Sequence, residues 1–534
     1  MALSVNAPAF YKVQGQQIAS VFAAVMLLAI LGRWLGYTGY FGSDEVTYTD
    51  SAFRLVNGDW RLDDYVGANR LGVNLPVAAF AWLFGTTEFA AALYSLLCSL
   101  CEVALVTWVA YRMFGTRAAL FAGLLMASLP THVHFAGRLM ADSPLCLTIT
   151  AAFVLFYEGE VRRWPMGYFL AGVCAGLSFW IKPVTLFVFG ILLVYPLLVR
   201  RLNWHWLWMA VGLVLAMAAN GLVFKVWTGN FWYVFDVTRE RLSSGYLEAG
   251  MAAGEISSGT HFYLTYLFGK IYHTGLLGYL AVLGVVFVWI QRRVAPPAER
   301  LGAAYVMFWA LGLLLILSVL PVGFKPLIFI SKQTNYMLIF VAPLCLLAGY
   351  GLARMPLRVA SAVAAVAVLL GLLFALLLQG SVAVFTANSW ATLRYVKVHP
   401  GAHFYVMSNA YRAAQFNRLV GREDLQTRLH FIREWNAPAA PATGVQTAPA
   451  ERYAVVDEES YRWDTSRPFS RPQDVPPCWI AVETIRGRPE GLGAFLLHAM
   501  AGAPGLAGTG IGARLQGMAS PKPAHVYRLP LTTC

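Results

Sequence analysis

The chain has 534 residues, of which 58% are hydrophobic and only 13% are charged. Soluble domains carry about a quarter charged residues, so this composition excludes an ordinary water-soluble enzyme and marks an integral membrane protein. The net charge of +13 fits Arg and Lys flanking the cytoplasmic ends of spans, and the sequence makes no case for nucleic-acid binding.

The N-terminus is polar up to Gln17, with no cleavable signal pattern, and the apolar run Ile18 to Leu35 reads as a start-transfer helix. Apolar runs predict about eleven spans in all. They lie near 17–36, 88–111, 118–136, 143–159, 165–181, 184–199, 204–227, 272–291, 302–320, 334–353 and 358–380. Basic clusters at Arg112/Arg117, Arg162/Arg163, Arg200/Arg201, Arg292/Arg293/Arg300 and Arg354/Arg358 then fall on one side, with Lys12. By the positive-inside rule that side is the cytoplasm.

The exterior side receives the loop 37–87, the turn at Gly137–Asp142, Lys182-Pro183, the loops 228–271 and 321–333, and the tail. Val46 to Val56 is amphipathic at helical spacing and Pro76 to Phe84 is apolar but too short to span; both read as interfacial helices. Gly245, Gly250, Gly254 and Gly259 punctuate the loop 228–271, which also holds Glu255 and His261. That spacing suggests mobility over a site. After the last span the composition changes. Strand-like runs at 403–407, 453–456, 479–482 and 525–529, a helical segment at 410–419 and a Pro/Ala-rich linker at 437–450 predict a small α/β domain. The expected architecture is an all-α polytopic membrane domain (1–384, with its exterior loop 37–87) and a soluble C-terminal exterior domain (385–534).

The exterior ionisable groups form a pattern. Asp44-Glu45 follows the first span by less than ten residues, and Asp142 opens the fourth. The exterior cations are Arg70, Arg138, Lys182 and Lys332, of which the two lysines stand at exterior helix ends, against the positive-inside bias. Snorkelling explains many such cations; an anionic ligand such as a lipid phosphate is the other explanation. Carboxylates beside phosphate-binding cations suit glycosyl transfer from a lipid-phosphate sugar. The cations stabilise the departing phosphate, and a carboxylate takes the proton of an attacking hydroxyl. His132 and His134 are two apart and do not share a helix face, a weak pair for a metal, which leaves a divalent cation open. Five of the seven cysteines lie in spans as apolar filler; Cys478 and Cys534 are the exterior pair, and a bridge between them stays open.

In chain order the motifs are Asp44-Glu45 with Tyr48, Asn57-Gly58-Asp59-Trp60, Leu83-Phe84-Gly85 and Glu88-Phe89. Then come Arg138 to Asp142, Trp180-Ile-Lys182-Pro183, and Lys332-Gln-Thr-Asn-Tyr336 leading to Ala342-Pro343. On these the chain resembles the GT-C superfamily of polyprenyl-phosphate-sugar-dependent glycosyltransferases, near the aminoarabinose transferase and protein O-mannosyltransferase branch. The resemblance implies an inverting hexosyl- or pentosyltransferase of the bacterial inner membrane, N-terminus cytoplasmic and active site periplasmic. It implies Asp44, Glu45 and Asp142 as catalytic, with Lys182, Lys332 and Arg70 on the donor phosphate. Tyr48, Arg138, Tyr336 and His261 are further site candidates. The implied partners are a polyprenyl-phosphate-linked sugar, membrane lipids, and an envelope acceptor that is a lipid A, other lipid, polysaccharide or protein. Where the aminoarabinose transferases carry Lys-Pro-Pro in the first loop, this chain has Asn69-Arg70-Leu71-Gly72. Alternative functions are a transporter or lipid flippase, which predicts ionisable residues inside the spans, and an O-antigen ligase- or polymerase-like enzyme.

Overall fold

The computed structural model describes residues 7–42, 44–63, 65–241, 259–324, 327–436, 451–464 and 466–530. Loop glycines 245, 250 and 254 with Glu255, the linker 437–450 and Cys534 lie outside them. The chain forms two compact units, one of residues 1–34, 63–76 and 94–375, the other of 35–62, 77–93 and 376–534. The first exterior loop, residues 37–87, is divided between the two units.

The first unit is helical. Helix α1 spans Ala7–Leu35, α2 Glu45–Asn57, α3 Leu71–Phe84, α4 Glu88–Phe114, α5 Thr116–Ser128, α6 Pro130–Ala136, α7 Asp142–Arg162 and α8 Pro165–Ile181; of these, α2 belongs to the second unit and α3 and α4 begin and end in different units. Among the described residues seven helices are long and apolar enough to cross a membrane: Gly15–Leu35, Glu88–Phe114, Asp142–Arg162, Trp204–Thr228, Pro297–Val319, Thr334–Arg354 and Leu357–Val398. An eighth is the pair α5 and α6, bent by 60°. The bend follows from Pro130, which removes a helical hydrogen bond and holds Leu129 extended (φ −63°, ψ 121°). The other three expected spans are shorter apolar helices, Pro165–Ile181, Thr185–Val199 and Leu277–Gln291. Of these, the second is largely a 3-10 helix, Pro183–Leu193. A 3-10 helix rises about 2.0 Å per residue against 1.5 Å for an α-helix, so a short run reaches further.

Helix Leu357–Val398 continues for 42 residues, well past the expected end near 380. At about 1.5 Å per residue it measures about 63 Å, roughly twice the hydrocarbon thickness of a bilayer. Its last turns belong to the second unit, where they pack on a five-stranded sheet. The strands, β3 (His403–Val406), β4 (Leu429–Phe431), β5 (Arg452–Asp457), β6 (Ile480–Ile485) and β7 (Ala524–Arg528), lie in the order β4-β3-β5-β7-β6. A separate antiparallel hairpin, β1 (Pro321–Phe324) and β2 (Leu327–Phe329), precedes Lys332. In the five-stranded sheet β3 runs parallel to β4 and β5, and β7 antiparallel to β5 and β6.

Strand alternation sorts the sheet's two faces. Phe404, Val406, Tyr453 and Val455 meet Leu393, Val396 and the helix Ser408–Leu419, together with Tyr40 and Val46 of the first loop. Tyr405, Ala454 and Val456 meet Ile432, Tyr461 and Trp479. Cys478 is disulfide-bonded. The predicted strands and the helix at 410–419 are all present; Leu492–Ala501 and Gly510–Ala519 are helices that periodicity did not single out.

Candidate active site

In the helical unit, four separated segments converge. Asp142 sits in the first turn of α7, where the helix dipole favours a carboxylate by about 0.3–1 kcal/mol. Pro183 ends α8 and forces the residue before it out of the helical region; Lys182 is extended at φ −153°, ψ 91°. Its backbone is then fixed, with its N–H donating to Ser178 O (2.8 Å) and its carbonyl accepting from Thr185 Oγ1 (2.7 Å). That geometry places Lys182 Nζ 3.8 Å from Asp142 Oδ1 and 4.1 Å from the centre of the Tyr336 ring. Asn335 Nδ2 donates to Asp142 Oδ1 at 2.9 Å.

Lys182 and Asp142 are 7% and 2% exposed, and Lys332 is 2% exposed with Nζ 5.2 Å from the Phe329 ring centre. Burial lowers the Lys332 ammonium to about 8, because desolvation disfavours the charged form. The β1–β2 hairpin, closed by Ile330 N–H to Leu320 O at 2.9 Å, leads into Lys332. The Thr334–Met337 3-10 turn then carries Asn335 and Tyr336 toward Asp142 and Lys182. At 3.8 Å the Lys182–Asp142 pair is an ion pair without a short hydrogen bond, so the ammonium keeps donors for an anion.

Arg70 lies two residues before Gly72, which packs against the same helix end. A Cβ at Gly72 would stand 2.9 Å from Ile181 N and 2.9 Å from Trp180 C, so only glycine lets α3 start against the end of α8. Arg138 is 4% exposed in the turn before Asp142; the Met140 carbonyl in that turn accepts from Ser95 Oγ at 3.2 Å.

In the second unit, Asp44 is half-buried and precedes α2, its side chain capping none of the helix amides. Glu45 is 3% exposed and turns back on the loop, accepting from the Phe41 N–H (2.7 Å) and the Gly42 N–H (3.3 Å). The adjacent carboxylates thus differ in setting. Tyr48 is fully buried. His261 is exposed and precedes the helix Phe262–Gly269.

His132 and His134 do not join in a ligand set. His132 Nδ1 lies 2.7 Å from Arg33 Nη2, and its Nε2 lies 3.0 Å from Glu102 Oε2. Glu102 Oε1 accepts from Thr150 Oγ1 (2.9 Å) and Arg33 Nε donates to Ser99 Oγ (2.9 Å). Among the described residues no group of three or more His, Cys, Asp or Glu is placed to hold a metal. The network corrects the expectation that the charges of interest cluster outside the spans, since Arg33 and Glu102 lie within α1 and α4. The signal was present in the sequence as Glu102, in the middle of the apolar run 88–111. Asn335 was also legible, inside the Lys332–Tyr336 motif, but its role as a donor to Asp142 needed coordinates.

Residues 72–224 match the family model described as dolichyl-phosphate-mannose-protein mannosyltransferase. The chain is 27% identical over 199 residues to an undecaprenyl phosphate-α-4-amino-4-deoxy-L-arabinose arabinosyl transferase of Edwardsiella ictaluri. It is 26% identical over 196 residues to the transferase of the same description from Yersinia enterocolitica. These matches span 35% and 34% of both this chain and the relative, about a third of the length of each. The fold resembles that of ArnT from Cupriavidus metallidurans in its apo state, with TM-score 0.52, 18% identity, 83% of this chain and 93% of that one. An Archaeoglobus fulgidus oligosaccharyltransferase in its apo form gives TM-score 0.51 at 12% identity, covering 83% and 70%. The chain is therefore a multi-pass membrane protein with a GT-C-type fold, and in sequence it resembles the aminoarabinose transferase and protein mannosyltransferase branch of the polyprenyl-phosphate-dependent glycosyltransferases.

Proposed function

We propose that the protein is an inverting glycosyltransferase that moves a sugar from a polyprenyl-phosphate donor to an envelope acceptor on the periplasmic side of the bacterial inner membrane. The observation that carries this reading is the convergence of Lys182, Asp142, Asn335 and Tyr336, brought from distant segments to one buried cluster at helix ends. Lys182 and Lys332 hold the donor phosphate, with Arg70 as the third cation and Arg138 as a further site residue. Asp142 and Tyr336 hold Lys182 in place. The C1–O bond to the phosphate breaks as the acceptor oxygen bonds to C1 from the opposite face. Charge left on the polyprenyl phosphate is stabilised by the ammonium groups.

The acceptor hydroxyl gives its proton to Asp44, whose carboxylate caps no helix amide, whereas Glu45 is committed to the Phe41 and Gly42 amides. A transfer assay with purified protein and a polyprenyl-phosphate sugar tests the reading. The expected products are free polyprenyl phosphate and a glycoside of inverted anomeric configuration. Retained configuration, or no release of polyprenyl phosphate with any envelope fraction, overturns it.

A further inference from the structure

The second unit contains a cavity of about 420 Å³ that the proposed chemistry leaves unused. One wall is a single face of the long helix: Ala383, Thr386, Ala387, Trp390, Arg394 and Lys397 recur at three- and four-residue intervals. That stripe passes from small residues through an indole to two cations. Arg422, Glu423, Arg488 and Glu490 also line the cavity. Four cations thus accompany two carboxylates.

Two of the cations are already paired, Lys397 with Glu423 at 3.0 Å and Arg422 with Glu88 at 2.6 Å. Arg394 and Arg488 have no ion pair among the described residues. The wall bearing Arg488 is fixed in place. Asn388, fully buried, accepts from the Gly487 N–H at 2.8 Å, while its amide donates to Asp457 Oδ1 (2.6 Å) and Lys522 O (2.7 Å). A Cβ at Gly487 would stand 2.1 Å from the Ala387 backbone. The strand end and the helix therefore touch backbone to backbone, and Arg488 follows at once.

We infer that this cavity is an acceptor subsite that binds a saccharide carrying an oxyanion, with Arg394 and Arg488 on the anionic group and Trp390 against the sugar ring. The inference rests on the transferase reading and adds the chemical class of the acceptor. The volume suits one or two sugar residues, within the range of roughly 300–1,000 Å³ typical of small-ligand sites. Guanidinium groups present forked donors that match phosphate or carboxylate oxygens, and an indole face suits the C–H face of a pyranose through apolar contact. Thr38 lines the cavity and lies six residues before Asp44. At about 3.3–3.6 Å per extended residue, the chain holds that wall within about 22 Å of the proposed base.

The test uses full-length protein in lipid nanodiscs and calorimetric titration with glucose 1-phosphate, glucose and inorganic phosphate. Wild type should bind glucose 1-phosphate more tightly than either glucose or inorganic phosphate. Arg394→Ala and Arg488→Ala should each weaken it by about five- to tenfold, since a charge-assisted contact at an open site is lost. Arg394→Lys should retain part of the affinity. Affinity for polyprenyl phosphate, measured on the same samples, should be unchanged in every variant. Equal affinity for glucose and glucose 1-phosphate, or undiminished glucose 1-phosphate binding in the double variant, overturns the subsite. Preference for inorganic phosphate over the sugar phosphate also overturns it, as an anion hole without a saccharide. Failure of wild type to bind polyprenyl phosphate would instead remove the transferase reading and leave the cavity's own result standing.

Discussion

In the helical unit Asp142, Lys182 and Lys332 are at most 7% exposed, and a second charged group, Arg33–His132–Glu102, is at most 3% exposed. In the other unit Arg394 and Arg488 are exposed, and Asp44 is half-buried. Dry charges are unscreened and geometrically fixed, so they can hold one phosphate in one place at any ionic strength. Wet charges are screened beyond about 8 Å at physiological salt, so they select an acceptor by sign and release it readily. The proposed transfer, with a lipid donor kept bound while polar acceptors exchange, would draw on both kinds.

The sharpest attempt to break that contrast is Asp44→Asn. If the open unit supplies the base, the transfer rate to a hydroxyl acceptor should fall on the order of 10²-fold or more, with donor binding intact. Glu45→Ala should act differently, lowering stability by roughly 1–3 kcal/mol because the Phe41 and Gly42 amides lose their acceptor. Near-wild-type turnover by Asp44→Asn, or weakened donor binding, would show that the two units do not divide the work in this way.

The buried network should be the next most sensitive. His132→Ala removes the ring between Arg33 and Glu102, and breaking a buried charged set costs about 3–5 kcal/mol. Thermal stability of the detergent-solubilised protein should drop accordingly, whereas Arg394→Ala should leave it within about 0.5 kcal/mol, as exposed substitutions do. Equal losses for the two would erase the distinction between dry and wet charge.

Lys182→Ala and Lys332→Ala should each slow transfer and weaken polyprenyl-phosphate binding by roughly ten- to hundredfold, the worth of one charge-assisted hydrogen bond. Arg at either place should rescue only in part, because a planar fork does not reproduce a compact ammonium. Lys332 adds a pH signature. Its ammonium is lowered to about 8 by burial, so the cation is present below that pH and lost above it. The kcat/KM for donor should therefore fall as pH rises through about 8, and Lys332→Arg should abolish that limb. Raising salt from 50 to 500 mM should barely change the Lys332 effect and should shrink that of Arg394. A snorkelling lysine predicts no change in donor affinity, and unchanged binding by Lys332→Ala would sink the phosphate role.

Much of this architecture can be read from the residues because its determinants are local. Apolar runs mark the spans, Lys182-Pro183 marks a helix end, and alternating Phe404, Tyr405 and Val406 mark a two-faced strand. Local pattern is less informative about length. The 3-10 segment Pro183–Leu193 and the 42-residue helix ending at Val398 both depart from the expected spans, since hydropathy reports burial and not rise per residue. Of the site, Asp142, Lys182, Lys332 and Tyr336 were visible as motif residues, and Asp142, Lys182 and Tyr336 are brought together. Contacts across long sequence separations were not visible, and Asn335 to Asp142, 193 positions apart, is the clearest case. The acceptor cavity escaped for a different reason: the last span was expected to end near 380, so Trp390, Arg394 and Lys397 share a helix face only because the helix continues to Val398, with Gly487 closing against it.

One carboxylate in the open unit behaves as if it belonged to the dry one, and it gives the smallest predicted effect. Asp457 is 6% exposed and holds Asn388, the residue that anchors the cavity wall. Burial pushes its carboxyl up to about 6, against hydrogen bonds from Asn388, Ser460 and the Glu459 N–H that favour the charged form, with the Glu459 carboxylate adding to the rise. A carboxyl raised on folding contributes stability that is fully present below the ordinary Asp value and is lost as pH climbs through the folded one. The sheet should therefore be more protected near pH 4 than near pH 7, by about 2–3 kcal/mol at most for a shift of about two units. Asp457→Asn mimics the protonated form, retaining an oxygen for Asn388, so it should match wild type at the acid end and exceed it at pH 7. Hydrogen exchange at the Ala454 to Val456 amides of β5, followed from pH 4.5 to 7, reads this directly once corrected for intrinsic exchange. If the variant is less protected than wild type throughout, the charge on Asp457 is what holds Asn388, and the wall of the cavity depends on ionisation, not on burial.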